Sequence, residues 1–327
     1  MVKFLIIRLS SIGDIVLTTP VVRCLKQQVE GAEIHYLIKK QYSSIAESNP
    51  YIDKVHLFDD NLNVLTEQLK KENFDFIVDL HKNIRSNLIR KRLKLVCFSF
   101  PKLNYEKWLL VHFGINRLPS IHITERYFEA VKLFGVINDN KGLDYFIIPA
   151  DEAVINHIPG SFRNGYICFA IGAQHFTKKL PPEKIISVCR KIDLPVVILG
   201  DKNDSETGEE IQKQVGNAVF NACGKFSLNQ SAALVKHAKV IITHDTGLMH
   251  IAAAFKKKII SVWGNTVPQF GMYPYLPDEQ SEIIEVTGLK CRPCTKIGFS
   301  ACPKKHFRCM NDIDEDKIVS NALRLFS

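Results

Sequence analysis

The chain has 327 residues, 46% of them hydrophobic and 24% charged; that is a globular composition, which excludes a mainly disordered or fibrous protein, and the length predicts two domains. Its apolar runs, such as Phe4 to Ile7, fall far short of the roughly 20 residues that cross a bilayer. Arg8 and Asp14 break any reading of the N-terminus as a signal peptide, so the expectation is a cytoplasmic protein, and the formal charge of +9 points to an anionic partner.

The first half reads as alternating strands and helices. Phe4 to Arg8 is a short apolar run of the kind a doubly buried strand carries, and Ser10-Ser11-Ile12-Gly13-Asp14 is a turn opening a helix from about Ile15 to Gln28. Strands are predicted at Glu33 to Ile38, Lys54 to Phe58 and Phe76 to Leu80, with a helix at Leu62 to Glu72. The stretch from Cys97 to about Asn140 is less regular, with a helix at Thr124 to Phe134. Pro149 to Pro159, followed by Gly160, Asn164 and Gly165, carries the turn residues of an interdomain boundary, giving domains 1–155 and 156–327.

Beyond that boundary the alternation resumes. Strands are predicted at Tyr166 to Ile171, Pro195 to Leu199, Val240 to Thr243 and Ile259 to Trp263. Helices are predicted from Pro181 to about Lys191, at Asp204 to Val215, Asn229 to His237 and Leu248 to Phe255, and finally at Asp314 to Phe326. Such alternation implies parallel sheets, in which ligands bind beyond the carboxyl ends of the strands.

Three loops at such ends carry unusual residues. In the first, Gly13 gives the turn its freedom and Asp14 is placed either to cap the helix or to reach a substrate. In the second, Gly172-Ala173-Gln174-His175-Phe176-Thr177-Lys178-Lys179, a close-approach glycine precedes two lysines just ahead of a helix, a pattern suited to diphosphate or simply to solvent. The third, Thr243-His244-Asp245-Thr246-Gly247-Leu248-Met249-His250, starts a helix directly after a strand, with His250 as a ligand contact or a core histidine. Neither the P-loop nor the Gly-x-Gly-x-x-Gly fingerprint is present, which argues against a P-loop NTPase and weakens a dehydrogenase.

Taken in order, Ile6-Ile7-Arg8-Leu9-Ser10-Ser11-Ile12-Gly13-Asp14, Asn49-Pro50-Tyr51-Ile52-Asp53, Val78-Asp79-Leu80-His81, Gly172-Ala173, Lys178-Lys179-Leu180-Pro181-Pro182 and Asp245-Thr246-Gly247-Leu248-Met249-His250 resemble glycosyltransferase family 9, the heptosyltransferases of lipopolysaccharide core synthesis. The resemblance covers nearly the whole chain. It implies an α/β fold of two Rossmann-like domains facing across a cleft, of GT-B type, whose last helix in such architectures often packs back on the first domain. It also implies transfer of heptose from ADP-heptose to the lipopolysaccharide inner core at the cytoplasmic membrane face, with inversion and with no metal or other cofactor for catalysis. Asp14 then corresponds to the general base and Lys178 to the cation that neutralises the leaving diphosphate. Gly13, Gly172, Ala173, Asp245, Thr246, Gly247 and His250 correspond to donor-binding positions, and Asp204 to the acid that holds the ribose. Leu180, where relatives commonly carry tryptophan, and Gln174-His175-Phe176 depart from the pattern and leave the nucleotide sugar open. The competing readings are the same fold with a different nucleotide sugar, and a non-catalytic basic protein that binds membrane or nucleic acid; under the leading reading no nucleic acid and no obligate protein partner is expected.

From His81 to Ser120 there are nine Lys and Arg against the single acid Glu106. This basic stretch is a solvated face or a contact for anions. Under the resemblance Lys82, Arg85, Lys107 and Arg126 are expected to meet a phosphorylated, acidic acceptor, and peripheral attachment to the inner membrane is compatible with them. Cys291 and Cys294 have the spacing of a zinc knuckle, which Cys302 and Cys309 would complete, with His306 as a substitute ligand. Structural zinc or free thiols are the expected states of that cluster.

Overall fold

The computed structural model describes residues 2–327. The first half runs β1 (Val2–Ile7), α1 (Ile12–Val16), α2 (Thr19–Gln28), β2 (Ala32–Lys39), α3 (Ser44–Glu47), β3 (Lys54–Phe58), α4 (Leu62–Lys70), β4 (Phe76–Asp79), α5 (Ile84–Leu93) and β5 (Val96–Ser99). Helices α6 (Asn104–Phe113), α7 (Ile123–Phe128) and α8 (Pro149–Glu152) follow. The second half runs β6 (Ile167–Ala170), α9 (Pro182–Ile192), β7 (Val196–Leu199), α10 (Ser205–Val215), β8 (Val219–Asn221), α11 (Leu228–His237), β9 (Val240–His244), α12 (Gly247–Ala254), β10 (Lys258–Trp263), β11 (Glu282–Glu285), α13 (Arg308–Asn311) and α14 (Glu315–Phe326). Among the described residues no helix is long and apolar enough to cross a membrane.

The chain forms two compact units, one taking residues through Leu103 together with Ile121–Phe146, the other Asn104–Ser120 with Ile147–Ser327. Sequence reasoning drew its line at residue 155, whereas this division follows Phe146 and groups the α6 segment with the second unit. The proline-bearing stretch after it is helical, and α8 packs on α11, where Lys236 pairs with Glu152.

The first unit is a five-stranded parallel sheet in the order β3-β2-β1-β4-β5. One face buries Leu5, Ile7, Leu37, Phe58 and Ile77 against Leu65 and Leu69 of α4 and Ile89 of α5. The second unit is a six-stranded parallel sheet, β11-β10-β9-β6-β7-β8. Its strands β6 and β7 are apolar throughout and fully buried, as parallel strands covered on both faces are. On α9, Ile185, Val188, Cys189 and Ile192 repeat at helical spacing and are all buried, each large apolar side chain contributing about 1.5–3 kcal/mol. The last helix keeps to this second unit: Asp314 caps it by accepting from the Lys317 N–H at 3.0 Å, and Ile318, Ala322 and Leu325 join the core beside α9. Its apolar stripe is buried on the second unit's own sheet and on α9.

Other differences have local causes. The helix expected over Ile15–Gln28 is two helices, because Pro20 can only start a helix and Thr18 turns its hydroxyl onto the Ile15 carbonyl at 2.7 Å. The helix expected at Thr124–Phe134 stops at Phe128 and is followed by a separate 3₁₀ turn at Lys132–Phe134. Strand β5 and helix α6 fall largely in ground read as less regular, and helix α5 forms where no element was assigned. In α5 the sequence Ile84-Arg85-Ser86-Asn87-Leu88-Ile89-Arg90-Lys91-Arg92-Leu93 leaves Ile84 and Leu88 exposed, so no apolar stripe announces it.

Candidate active site

Numbering strands within each sheet, both units follow the doubly wound order 3-2-1-4-5, with a sixth strand in the second. In such sheets the first and fourth strands diverge into crossovers on opposite faces, which opens a crevice at their carboxyl ends. The three loops singled out from the sequence lie at these two points.

In the first unit the switch point falls between β1 and β4. Asp14 is the third residue of α1 and is exposed only in part. Its Oδ1 pairs with Arg8 Nη2 at 2.5 Å, and its Oδ2 accepts from the Ser11 hydroxyl at 2.9 Å and the Ser11 N–H at 3.3 Å. Arg8 is buried; it also donates to the Ser10 carbonyl at 3.0 Å, the Tyr127 hydroxyl at 3.1 Å and the Leu80 carbonyl. One guanidinium thus ties the β1 loop to the β4 loop and aims the carboxylate. The β4 loop is itself wound around Asp79, which is fully buried and accepts from the N–H groups of His81 and Lys82 and from the Ser86 hydroxyl at 2.7–2.9 Å. His81 lies beside these groups; burial, then the charges of Arg8 and Lys102, push its pKa down to about 3, so the ring is neutral. Gly13 sits one residue before Asp14 inside α1 and is buried.

In the second unit the switch point falls between β6 and β9. Lys178 ends a 3₁₀ turn after β6 and reaches across to Asp245, its Nζ 2.5 Å from Oδ2 and 3.2 Å from the Asp245 carbonyl, with Thr266 donating to the same carboxylate at 2.8 Å. Thr246 stands at the N-cap of α12, but its side chain makes no cap bond; its hydroxyl is 3.4 Å from that of Thr243. The first N–H groups of Gly247–Ala254 therefore keep their positive end for an anion, a few residues from a lysine. His250 is one turn in and buried. His244 is fully buried; its Nε2 accepts from the Leu180 N–H at 3.0 Å, and burial, then the charge of Lys179, push its pKa down to about 3.

Gly172 and Ala173 follow β6 directly. A Cβ at Gly172 would overlap the Asp204 carboxylate and stand 3.3 Å from the Gly200 Cα, so this loop is built around the absence of a side chain. Asp204 is buried, with Lys179 Nζ at 2.5 Å from one oxygen and the Asp201 N–H at 3.0 Å from the other. The cysteine-bearing segment braces the same region: Thr177, next to Lys178, exchanges hydrogen bonds with the Phe299 backbone at 3.2 and 2.9 Å. Arg292 donates to the carbonyls of Gly264, Thr266 and Val286 and pairs with Glu285.

The expected acceptor cations are dispersed. Lys82 (φ 50°) spends its ammonium on the Phe100 carbonyl at 3.0 Å, Arg85 is exposed on α5, Arg126 is buried in α7, and Lys107 lies on α6 in the second unit. Of the four clustered cysteines, Cys291, Cys294 and Cys302 all act electrostatically on Cys309. None of the four is in a disulfide, and no three of their sulfurs approach within 4.8 Å of one another. Arg8, Tyr127, His81, Thr266 and Arg292 went unassigned in the sequence; only Arg8 and His81, through their place in family motifs, left a signal there.

The profile of glycosyltransferase family 9 (heptosyltransferase) matches residues 63–304. Lipopolysaccharide heptosyltransferase 1 of Campylobacter coli is 24% identical over 99% of both chains. The glycosyl transferase family 9 structure from Veillonella parvula superposes with a TM-score of 0.80 at 21% identity, covering 99% of this chain and 97% of its own. Escherichia coli ADP-heptose lps heptosyltransferase II gives 0.76 at 19% identity, covering 99% and 98%. With most of its length inside the family profile and the fold shared end to end, the chain belongs to glycosyltransferase family 9, the heptosyltransferases, and is a glycosyltransferase.

Proposed function

We propose that this enzyme transfers heptose from ADP-heptose to the inner core of lipopolysaccharide, inverting the anomeric centre without a catalytic metal, at the cytoplasmic side of the membrane. The observation that carries the reading is the second unit's switch point, where Lys178 is tethered through Asp245 to an uncapped helix N-terminus. Breaking the anomeric bond leaves negative charge on a diphosphate, and a fixed ammonium beside aligned N–H dipoles stabilises that charge more as it develops than before. The E. coli relative, an ADP-heptose lps heptosyltransferase, and the C. coli lipopolysaccharide enzyme support this donor and acceptor.

In this reading Lys178, Thr246, Gly247 and His250 serve the donor diphosphate and sugar. Gly172 and Ala173 let the nucleotide approach the backbone, and Asp204 with Lys179 holds the ribose end. In the first unit Asp14 takes the proton of the acceptor hydroxyl. A carboxylate is a weak base, but the hydroxyl becomes acidic only as the new bond forms, so late transfer suffices. Arg8 and Ser11 hold that carboxylate in one orientation, and Arg85 meets acceptor anions. A structural zinc at Cys291, Cys294, Cys302 and Cys309 would stiffen the segment that supports Thr177, after the sulfurs draw closer.

The test is mass spectrometry of a reaction containing ADP-heptose, a truncated core acceptor and the wild-type chain. A product heavier by one heptose is expected, with Asp14→Asn and Lys178→Ala each reducing turnover at least about 100-fold while remaining folded. Transfer from another nucleotide sugar in preference, or full activity in both variants, overturns the assignment.

A further inference from the structure

His35 of β2, His56 of β3 and Glu72 just after α4 come together inside the first unit. The register pairs His35 with Lys54 and Leu37 with His56, so the two histidines lie on one face of neighbouring parallel strands. His35 Nδ1 and His56 Nε2 are 2.8 Å apart, Glu72 Oε2 is 3.9 Å from His35 Nδ1, and all three ligand atoms lie within 4.8 Å of one another. Both rings are buried under the edge of Phe74.

The surroundings prepare these atoms as ligands. Glu33 Oε1 lies 2.7 Å from His35 Nε2; a carboxylate only accepts, so it fixes the proton on Nε2 and leaves the Nδ1 lone pair facing the cluster. A carboxylate behind a histidine is the arrangement that orients metal-bound imidazole elsewhere. Lys54 occupies Glu72 Oε1 at 2.5 Å and leaves Oε2 toward the rings. Lys3 and Lys54 balance Glu33 and Glu72 in charge, so the cluster carries no net charge against a cation. A cavity of about 490 Å³ lined by Lys54, His56, Asn61, Val64, Gln68 and Glu72 opens beside it, room for water ligands and a way in.

We propose that His35, His56 and Glu72 bind one divalent transition-metal ion of the zinc class. Two imidazoles, one carboxylate and water make a four-coordinate set; tetrahedral bonds of about 2.0–2.1 Å place ligand atoms roughly 3.3 Å apart. The histidine pair opens by about half an ångström and Glu72 closes on His35 by a similar amount. On binding, His56 moves its proton from Nε2 to Nδ1 and remains neutral. The site lies toward the amino-terminal edge of the sheet, where α4 returns, away from the β1 and β4 loops. Its action is to fasten the end of α4 to β2 and β3, and turnover does not pass through it.

The probe is Co²⁺ alone, added to the metal-free full-length chain and read by absorbance, with Zn²⁺ as competitor. One equivalent giving visible d–d bands without sulfur-to-cobalt charge transfer is expected. Any metal at the four cysteines announces itself separately by that charge transfer. Glu72→Gln, which keeps shape and a partner for Lys54, is expected to weaken Zn²⁺ binding by at least about tenfold. It should also abolish the metal-dependent rise in Tm, with heptose transfer unchanged. His56→Asn should do the same. No nitrogen- and oxygen-ligated cobalt in the wild type, or equal affinity in wild type and both variants, overturns the proposal.

Discussion

Arg8→Lys isolates the geometry of one guanidinium from its charge. Arg8 serves four acceptors: the Ser10 and Leu80 carbonyls, the Tyr127 hydroxyl and Asp14. Lysine keeps the positive charge but lacks the planar fork, and from one ammonium it reaches at most two of the four. Two or more buried hydrogen bonds are then lost at about 1 kcal/mol each, which predicts a loss of about 2–3 kcal/mol. Asp14 retains Ser11 on one oxygen and loses its fixed partner on the other, and misplacement by about 1 Å is expected to cost on the order of 100-fold in kcat. Trp108 and Trp263 both lie in the second unit, so tryptophan fluorescence would miss the event. Urea unfolding by far-UV circular dichroism, with amide exchange across β1 and β4, reads it directly. Tyr127→Phe removes one of the same bonds, so it should cost about 1 kcal/mol alone and add less than that to Arg8→Lys. An Arg8→Lys protein as stable as wild type and equally active would refute the reasoning.

Two further outcomes are expected. Gly172→Ala drives a methyl into the Asp204 carboxylate, whose oxygens are pinned by Lys179 and the Asp201 N–H; a destabilisation of about 1–3 kcal/mol with a raised donor KM is predicted, and unchanged melting and KM count against it. Acid should loosen the second unit through His244, whose folded pKa near 3 lies below its ordinary value of 6.5. The unfolded chain binds a proton below pH 6.5 that the folded chain refuses down to about pH 3, so stability is full above 6.5 and falls as pH drops through that window. At pH 5 the loss is about 2 kcal/mol. Denaturation midpoints of wild type and His244→Gln between pH 7 and 5 check this, and parallel slopes would contradict it.

The inner strands were readable because doubly buried parallel strands are unbroken apolar runs: β6 and β7 fall inside the predicted runs Tyr166 to Ile171 and Pro195 to Leu199, and β9 and β10 differ from prediction by one residue, while the half-exposed edge strand β3 also begins and ends where Lys54 to Phe58 predicts. The loops after them were readable for the same reason, as positions where an apolar run stops at glycine, acid or lysine. Helix α5 and strands β8 and β11 were not, the first for want of an apolar stripe, β8 because it has only three residues, and β11 because Glu282 and Glu285 bracket its two apolar residues. Within the site, the sequence separated groups that space joins. Arg8 meets Tyr127 across 119 positions and Thr177 meets Phe299 across 122, and no local pattern encodes such pairs.

The Thr177–Phe299 clasp has a bearing on how this enzyme can be altered. Because the cysteine-bearing segment meets the lysine turn through the Thr177–Phe299 hydrogen bonds and the stacked rings of Phe176 and Phe307, and Arg292 steadies the Gly264–Thr266 stretch, residues between Cys294 and Cys309 form a lever whose length and stiffness set where Nζ comes to rest. Lengthening or shortening that lever by a residue offers a way to retune affinity for the nucleotide sugar while every group in the crevice keeps its identity.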